Sequence, residues 1–402
     1  MSNMTFSIPE EYQDKLKPIE ATDSRSDAEI FNSFQEFRPV TSEKNIWAYW
    51  HAGVANMPKW CQKNAIDWVR ILGPDWTVRV LDNVAGSPNN TLRYVPDSLL
   101  PPSFVNQSMD GPYLGQHGAD LTRSACIYEH GGAWMDVGTI LIRHIDRICW
   151  KQLEDPESPY RVALPVIYGV CAANHFVAAR KHDPFIYQWH RLFTHVWGNK
   201  KNIKGCLSDP LITPLLPIMF EGADGKFDPD WIDEKVALEY ITQIICWSRL
   251  FCLEDAGEGF SGLEYWEKHI FGFSAMQEDW RGECVTSFVG FGERSFEALQ
   301  LPYPGSDAGP ASEKSEFANK LVWELLANAS MWKVTHAHDL TYSVHLGTLL
   351  DMPENEGKDA APGTFGELLR YGSVHFRQTR EDVVRMPNPR PSITWKKGVL
   401  EP

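Results

Sequence analysis

Between residues 45 and 81 two apolar runs flank one amphipathic segment, and that order excludes a simple hairpin. Asn45 to Trp50 (NIWAYW) is aromatic and apolar, a buried first strand stopped by His51-Ala52-Gly53. Asn56 is expected to cap the helix that follows, with Pro58 in its first turn. Met57, Trp60, Cys61, Ala65, Trp68, Val69 and Leu72 recur at helical spacing, and Gly73-Pro74 closes the segment. Trp76 to Leu81 then alternates as a strand. Two strands joined through a helix must run parallel, so the chain belongs to the α/β class.

The same alternation continues. A segment rich in Pro, Asn and Ser spans 83 to 114, and Gly115 to His130 suits a second helix. Gly131-Gly132 ends that helix, and Ala133-Trp134-Met135 is a short strand ending at Asp136. Further on, RVALPVIYGV is expected as a strand, and PFIYQWHRLFTHVW, KVALEYITQIICWSRLF and 317–333 as helices. Loops are expected at 302–316 and 351–363. The expected division is a polar N-terminal arm over 1–42, one catalytic domain over 43–350 and a loop-rich C-terminal tail over 351–402.

Composition bounds the partners. The 402 residues are 43% hydrophobic and 23% charged, ordinary for a globular chain with an ample core. The net charge of -15, with no basic block longer than Lys200-Lys201, argues against DNA or an RNA footprint. An anionic small molecule would need a local cation or a metal. The eight cysteines form no CxxC pair and several sit in apolar periodic runs, as reduced core thiols would. The N-terminus lacks an apolar signal core and no stretch approaches the length of a transmembrane span, so the expected location is cytoplasmic.

The chemistry is concentrated between Ala119 and Asp146. Asp120 and Arg123 stand three apart on one helix and share a face, offering a hydroxyl acceptor beside a fixed cation. Sixteen positions after Asp120, Asp136 closes a short strand, the place where α/β folds bind ligands. Asp120, Arg123, Tyr128, Gly131, Gly132, Trp134 and Asp136 together resemble the signature of capsular-polysaccharide-synthesis-type glycosyltransferases, a group related to sugar transferases with an Asp-x-Asp motif. IWAYWHAG and NMPKW add to the resemblance, which covers roughly residues 43–195.

That resemblance implies a GT-A-like fold: a mixed, mostly parallel sheet flanked by helices, with a helical C-terminal portion. It implies transfer of a sugar from a nucleotide-sugar donor to an unidentified glycan or small-molecule acceptor. Asp120 and Asp136 would be the catalytic carboxylates. Asp120, Arg123, Asn174 and Trp50 would bind the donor, Trp50 near the base. Asp136, with His336 or His338, would hold Mn²⁺ or Mg²⁺. The second carboxylate of the motif is replaced by Gly138, which removes one hard ligand from that metal set. Retention of anomeric configuration is implied by analogy alone. Two other functions fit the sequence: a GT-A-like protein that binds nucleotide or glycan without turnover, and a transferase repurposed to move an aminoacyl group from tRNA.

Overall fold

The strand–helix–strand unit forms where its pattern places it. In the computed structural model, which describes residues 6–169, 171–218, 230–304, 312–335, 339–388 and 390–402, strand β2 (Asn45–Tyr49) pairs in parallel with β3 (Thr77–Leu81) through helix α2 (Lys59–Leu72). β1 (Leu16–Pro18) and helix α1 (Asp27–Ser33) precede this unit, and α3 (Leu114–His130) follows it. β4 (Gly132–Met135) returns beside β2, again parallel.

The central sheet also contains β6 (Val162–Ile167), β7 (Cys171–Ala172), β8 (Phe176–Ala179) and β9 (Ile270–Ser274). The order is β9-β6-β8-β4-β2-β3, with β7 paired to β6. β8 runs antiparallel to both β4 and β6, so the sheet is mixed: parallel in each flank and antiparallel across its middle.

Both faces are buried, because alternate side chains serve different layers. Ile46, Ala48, Val78, Val80 and Met135 pack on the side of α2, α7 (Glu313–Asn328) and α8 (Phe365–His375). Trp47, Tyr49, Trp134 and Val177 pack on the side of α3, α4 (Pro184–Trp197) and α6 (Thr242–Phe251). All eight cysteines are free, and seven are buried. No helix among the described residues is long and apolar enough to cross a membrane.

Several boundaries differ from the sequence reading. Asn56 does not cap α2: it ends a separate single turn and donates to Ala52 O at 2.7 Å. Pro58 takes the cap position without a side-chain bond, because the residue before a proline, Met57, is driven into extended backbone. The run 235–251 breaks at Ile241 into α5 (Glu234–Tyr240) and α6. The helix expected over 317–333 stops at Asn328, and β10 (Met331–Lys333) pairs antiparallel with β5 (Thr139–Leu141) instead. A cross-strand partner outweighs helical propensity there.

The polar arm and the loop-rich tail are also built into the fold. β1 pairs antiparallel with β11 (Phe376–Gln378), and Phe6, Leu16, Ile30 and Phe34 are buried in the α2-side core. Of the expected loops, 305–311 lies outside the described residues, while 351–363 contains two single turns and the buried Asp359, paired with Arg370 of α8 at 2.5 Å.

The glycine pair shows how closely β4 approaches β2. Gly131 ends α3 at φ +70°, its N–H donating to Ile127 O at 2.8 Å. Gly132 follows at φ +104°, and a Cβ there would meet Asn45 O at 2.4 Å. At Gly138 a Cβ would make only ordinary contacts, at 3.4 Å and beyond. Gly132→Ala therefore costs about 2 kcal/mol or more, from strain and overlap together. Gly138→Ala folds with little loss. Urea midpoints of the two variants check this; equal midpoints contradict it.

Candidate functional site

The fold brings the two halves of the motif to one level by simple geometry. From Asp120 the helix descends about ten residues at about 1.5 Å each, and β4 climbs back over four or five residues at about 3.3 Å. Asp136 thus emerges at the C-terminal tip of β4 beside the upper turns of α3. Asn174 enters from the loop before β8, whose first residue pairs with Met135.

The side chains converge. Arg123 Nη1 donates to Asp120 Oδ1 at 2.5 Å and to Gln243 Oε1, and Nη2 reaches Asp136 Oδ1 at 3.3 Å. Trp134 Nε1 donates to the same Asp136 oxygen at 2.7 Å, while Lys333 Nζ lies 3.2 Å from Asp136 Oδ2. The Trp134 ring also faces the Arg123 guanidinium at 5.0 Å. Asn174 Nδ2 bridges Asp120 Oδ1 at 3.3 Å and Gln243 Oε1 at 3.0 Å. Gln243 Nε2 donates to Asp120 O, which ties α6 to α3.

Of these groups Asp120, Arg123, Asp136, Asn174 and Lys333 line a cleft of about 300 Å³. Its other walls are aromatic and aliphatic: Trp50, Trp60, Tyr240, Ile241 and Ile244. Trp60 Nε1 donates to Asp351 Oδ1 at 2.8 Å at the far rim. A cavity with an apolar wall and a few converging charges is the usual form of a small-molecule site.

The two carboxylates are driven apart electrostatically. Burial pushes Asp120 up to about 6, against the pull of Arg123. Burial also raises Asp136, but Lys333 and Arg123 together outweigh it and hold this group well below the usual carboxylate range. Asp136 is therefore a permanent anion between two cations, and Asp120 titrates nearer neutrality.

Of the residues expected from sequence, Asp120, Arg123, Asp136, Asn174 and Trp50 all line this one cleft. His336 and His338 lie outside the described residues. Sequence reasoning missed Gln243, Lys333, Tyr240 and the cleft edge of Trp60. Gln243 and Lys333 did leave a trace, Gln243 beside Thr242 in the largely apolar run ITQIICW and Lys333 alone in MWKV. A buried polar side chain in such a run needs a partner.

Comparison with known proteins bears on this cleft. The family described as Capsular polysaccharide synthesis protein matches residues 22–204, which contain the whole motif. The chain is 47% identical to the probable glycosyltransferase FCK3 of Fusarium pseudograminearum, over 99% of this chain and 100% of that protein. It is 40% identical to the O-glycosyltransferase braB of Annulohypoxylon truncatum, over 96% and 93% of the two chains. It is 37% identical to the glycosyltransferase afumC of Aspergillus fumigatus, over 90% and 93%. Among solved structures, the PaToxG glycosyltransferase aligns over 49% of this chain and 82% of its own, at 17% identity and a TM-score of 0.29.

The charge arrangement predicts the behaviour of Arg123→Met. That variant strips the guanidinium from both buried carboxylates, Asp120 and Asp136, at a cost of about 3–5 kcal/mol near neutral pH. The folded pKa of Asp120 already exceeds its unfolded value, so its ionised form opposes folding. That penalty is complete above the folded pKa and vanishes below the unfolded one. The gap in urea midpoint between wild type and variant should therefore narrow from pH 8 to pH 5; a constant or widening gap contradicts the assignment.

Proposed function

The chain belongs to the glycosyltransferase family that contains FCK3, braB and afumC, and on that basis we propose that it transfers a sugar from a nucleotide-sugar donor to a hydroxyl of an acceptor with an apolar body. The observation that carries this reading is the convergence of Asp120, Arg123, Asp136 and Lys333 at the tip of β4, facing an aromatic wall across one cleft. An anionic leaving group needs cations. A sugar needs acceptors for its hydroxyls. An apolar ring system needs a surface to lie on. The cleft offers all three.

In this reading Asp120 accepts a hydrogen bond from a donor hydroxyl, and Asn174 and Arg123 hold its carboxylate in place. Arg123 is fixed by three partners, so it meets charge without reorganising. Trp50, one residue beyond β2, flanks the nucleobase. Trp60, Ile241 and Ile244 form the acceptor wall. Transfer to oxygen is supported by the names of relatives, since braB and the protein PaGT of Phomopsis amygdali are both O-glycosyltransferases.

The test is a hydrolysis and transfer screen across UDP-, GDP- and CDP-sugars. One donor class should be turned over, and Asp136→Ala should lower kcat by roughly 10²–10³ while the protein stays folded. Full activity in Asp136→Ala removes the reading. A pH profile adds a second check. Below about pH 6 Asp120 takes up a proton and loses the charge that strengthens its bond to the donor hydroxyl, so kcat/KM for the donor falls there. A profile flat to pH 4.5, with the protein still folded, contradicts the role of Asp120.

A further inference from the structure

We propose that Lys333 is the cation that binds the donor diphosphate, occupying the place where a second carboxylate of an Asp-x-Asp pair would bring a divalent metal. The proposal rests on the donor-site reading above.

Lys333 is delivered with precision. It ends β10, in register with Thr139 of β5, one residue beyond Gly138. Its side chain is 11% exposed, and its ammonium meets Asp136 Oδ2 at 3.2 Å. Behind it stands Asp279, which is fully buried. One oxygen of Asp279 accepts from Lys333 N at 3.2 Å, and the other is engaged by His175 Nε2. The carbonyl of His175 in turn accepts from Asp136 N at 2.9 Å. One buried carboxylate thus fixes the backbone of both members of the Asp136–Lys333 pair.

Gly138 belongs to the same arrangement. A Cβ there would stand 3.5 Å from Lys333 Nζ and 3.4 Å from the Trp60 ring. A carboxylate built beyond that Cβ would project into the space that the ammonium and the indole use. Glycine and lysine together therefore replace carboxylate and metal. The donor set agrees. Mg²⁺ or Mn²⁺ wants several hard oxygen ligands. Asp136 Oδ1 already takes Trp134 and Arg123, and Oδ2 takes Lys333. Asp120 is engaged by Arg123 and Asn174, and Asp351 by Trp60. A dication against Asp136 would sit beside an ammonium and a guanidinium, which repel it. The described residues do not fit the metal expected at Asp136.

An ammonium has three N–H donors, of which Asp136 takes one. The others suit phosphate oxygens. As the bond between the anomeric carbon and the diphosphate oxygen breaks, the electron pair stays on that oxygen, and Lys333 meets the growing charge. The acceptor hydroxyl gives its oxygen to the anomeric carbon and its proton to the departing diphosphate.

The test uses calorimetry on the full chain treated with EDTA, titrating UDP, GDP and CDP alongside the matching free nucleosides. Wild type should bind one nucleoside diphosphate without added metal. Lys333→Met should weaken that binding at least tenfold, leave nucleoside binding unchanged, and lower kcat by roughly 10²–10³. Lys333→Arg should recover most of the diphosphate affinity, which a merely structural loss would not allow. Unchanged diphosphate affinity in Lys333→Met, or wild-type binding that requires Mn²⁺, overturns the proposal while leaving the donor-site reading standing. Failure of wild type to bind any nucleoside diphosphate, with or without Mn²⁺, removes both.

Discussion

The site depends on one constraint: Asp136 is an anion clamped between two buried or half-buried cations that arrive from distant parts of the chain. Arg123 comes from the helix that leads into β4, and Lys333 comes from a strand almost two hundred residues later. Asp136 gives both buried cations an anion beside them, and they in turn hold its carboxylate ionised against the cost of burial. Their mutual need fixes α3, β4 and β10 in one arrangement. The cleft in front of them inherits a charged floor, with two cations already in place, that requires no movement to form.

The rest of the fold serves that clamp. The α2–α7–α8 layer carries β10 to the tip of β4, and the α3–α4–α6 layer carries Gln243 against Asp120. The break at Ile241 lets α5 and α6 present Tyr240, Ile241 and Ile244 to the cleft, where an unbroken helix would have kept one face in the core. Charged floor and apolar wall therefore come from different layers of the same three-layer body. A sugar donor and an apolar acceptor can be met by different walls of one small cavity.

Local physics made the first half of this site legible. The period of three between Asp120 and Arg123, the glycine pair and the strand ending at Asp136 all act over fewer than twenty residues. Helical rise and strand rise alone bring them together. Lys333 was not legible in the same way. Its strand exists because β5 pairs with it, and its own sequence continues a helical run, so the local signal pointed to the wrong element. Gln243 was hidden for a related reason: its role depends on α6 lying against α3, a contact between residues more than a hundred positions apart. The pairing of arm with tail was hidden because β1 and β11 are too short to show a pattern alone and make sense only as a pair.

The most direct test is a crystal structure of the protein with a nucleoside diphosphate bound in the presence of EDTA. The account places the diphosphate at the tip of β4 with a phosphate oxygen within hydrogen-bond distance of Lys333 Nζ, and the ribose or sugar side against Asp120 and Arg123. A diphosphate seated elsewhere, or one directed away from Lys333, contradicts it.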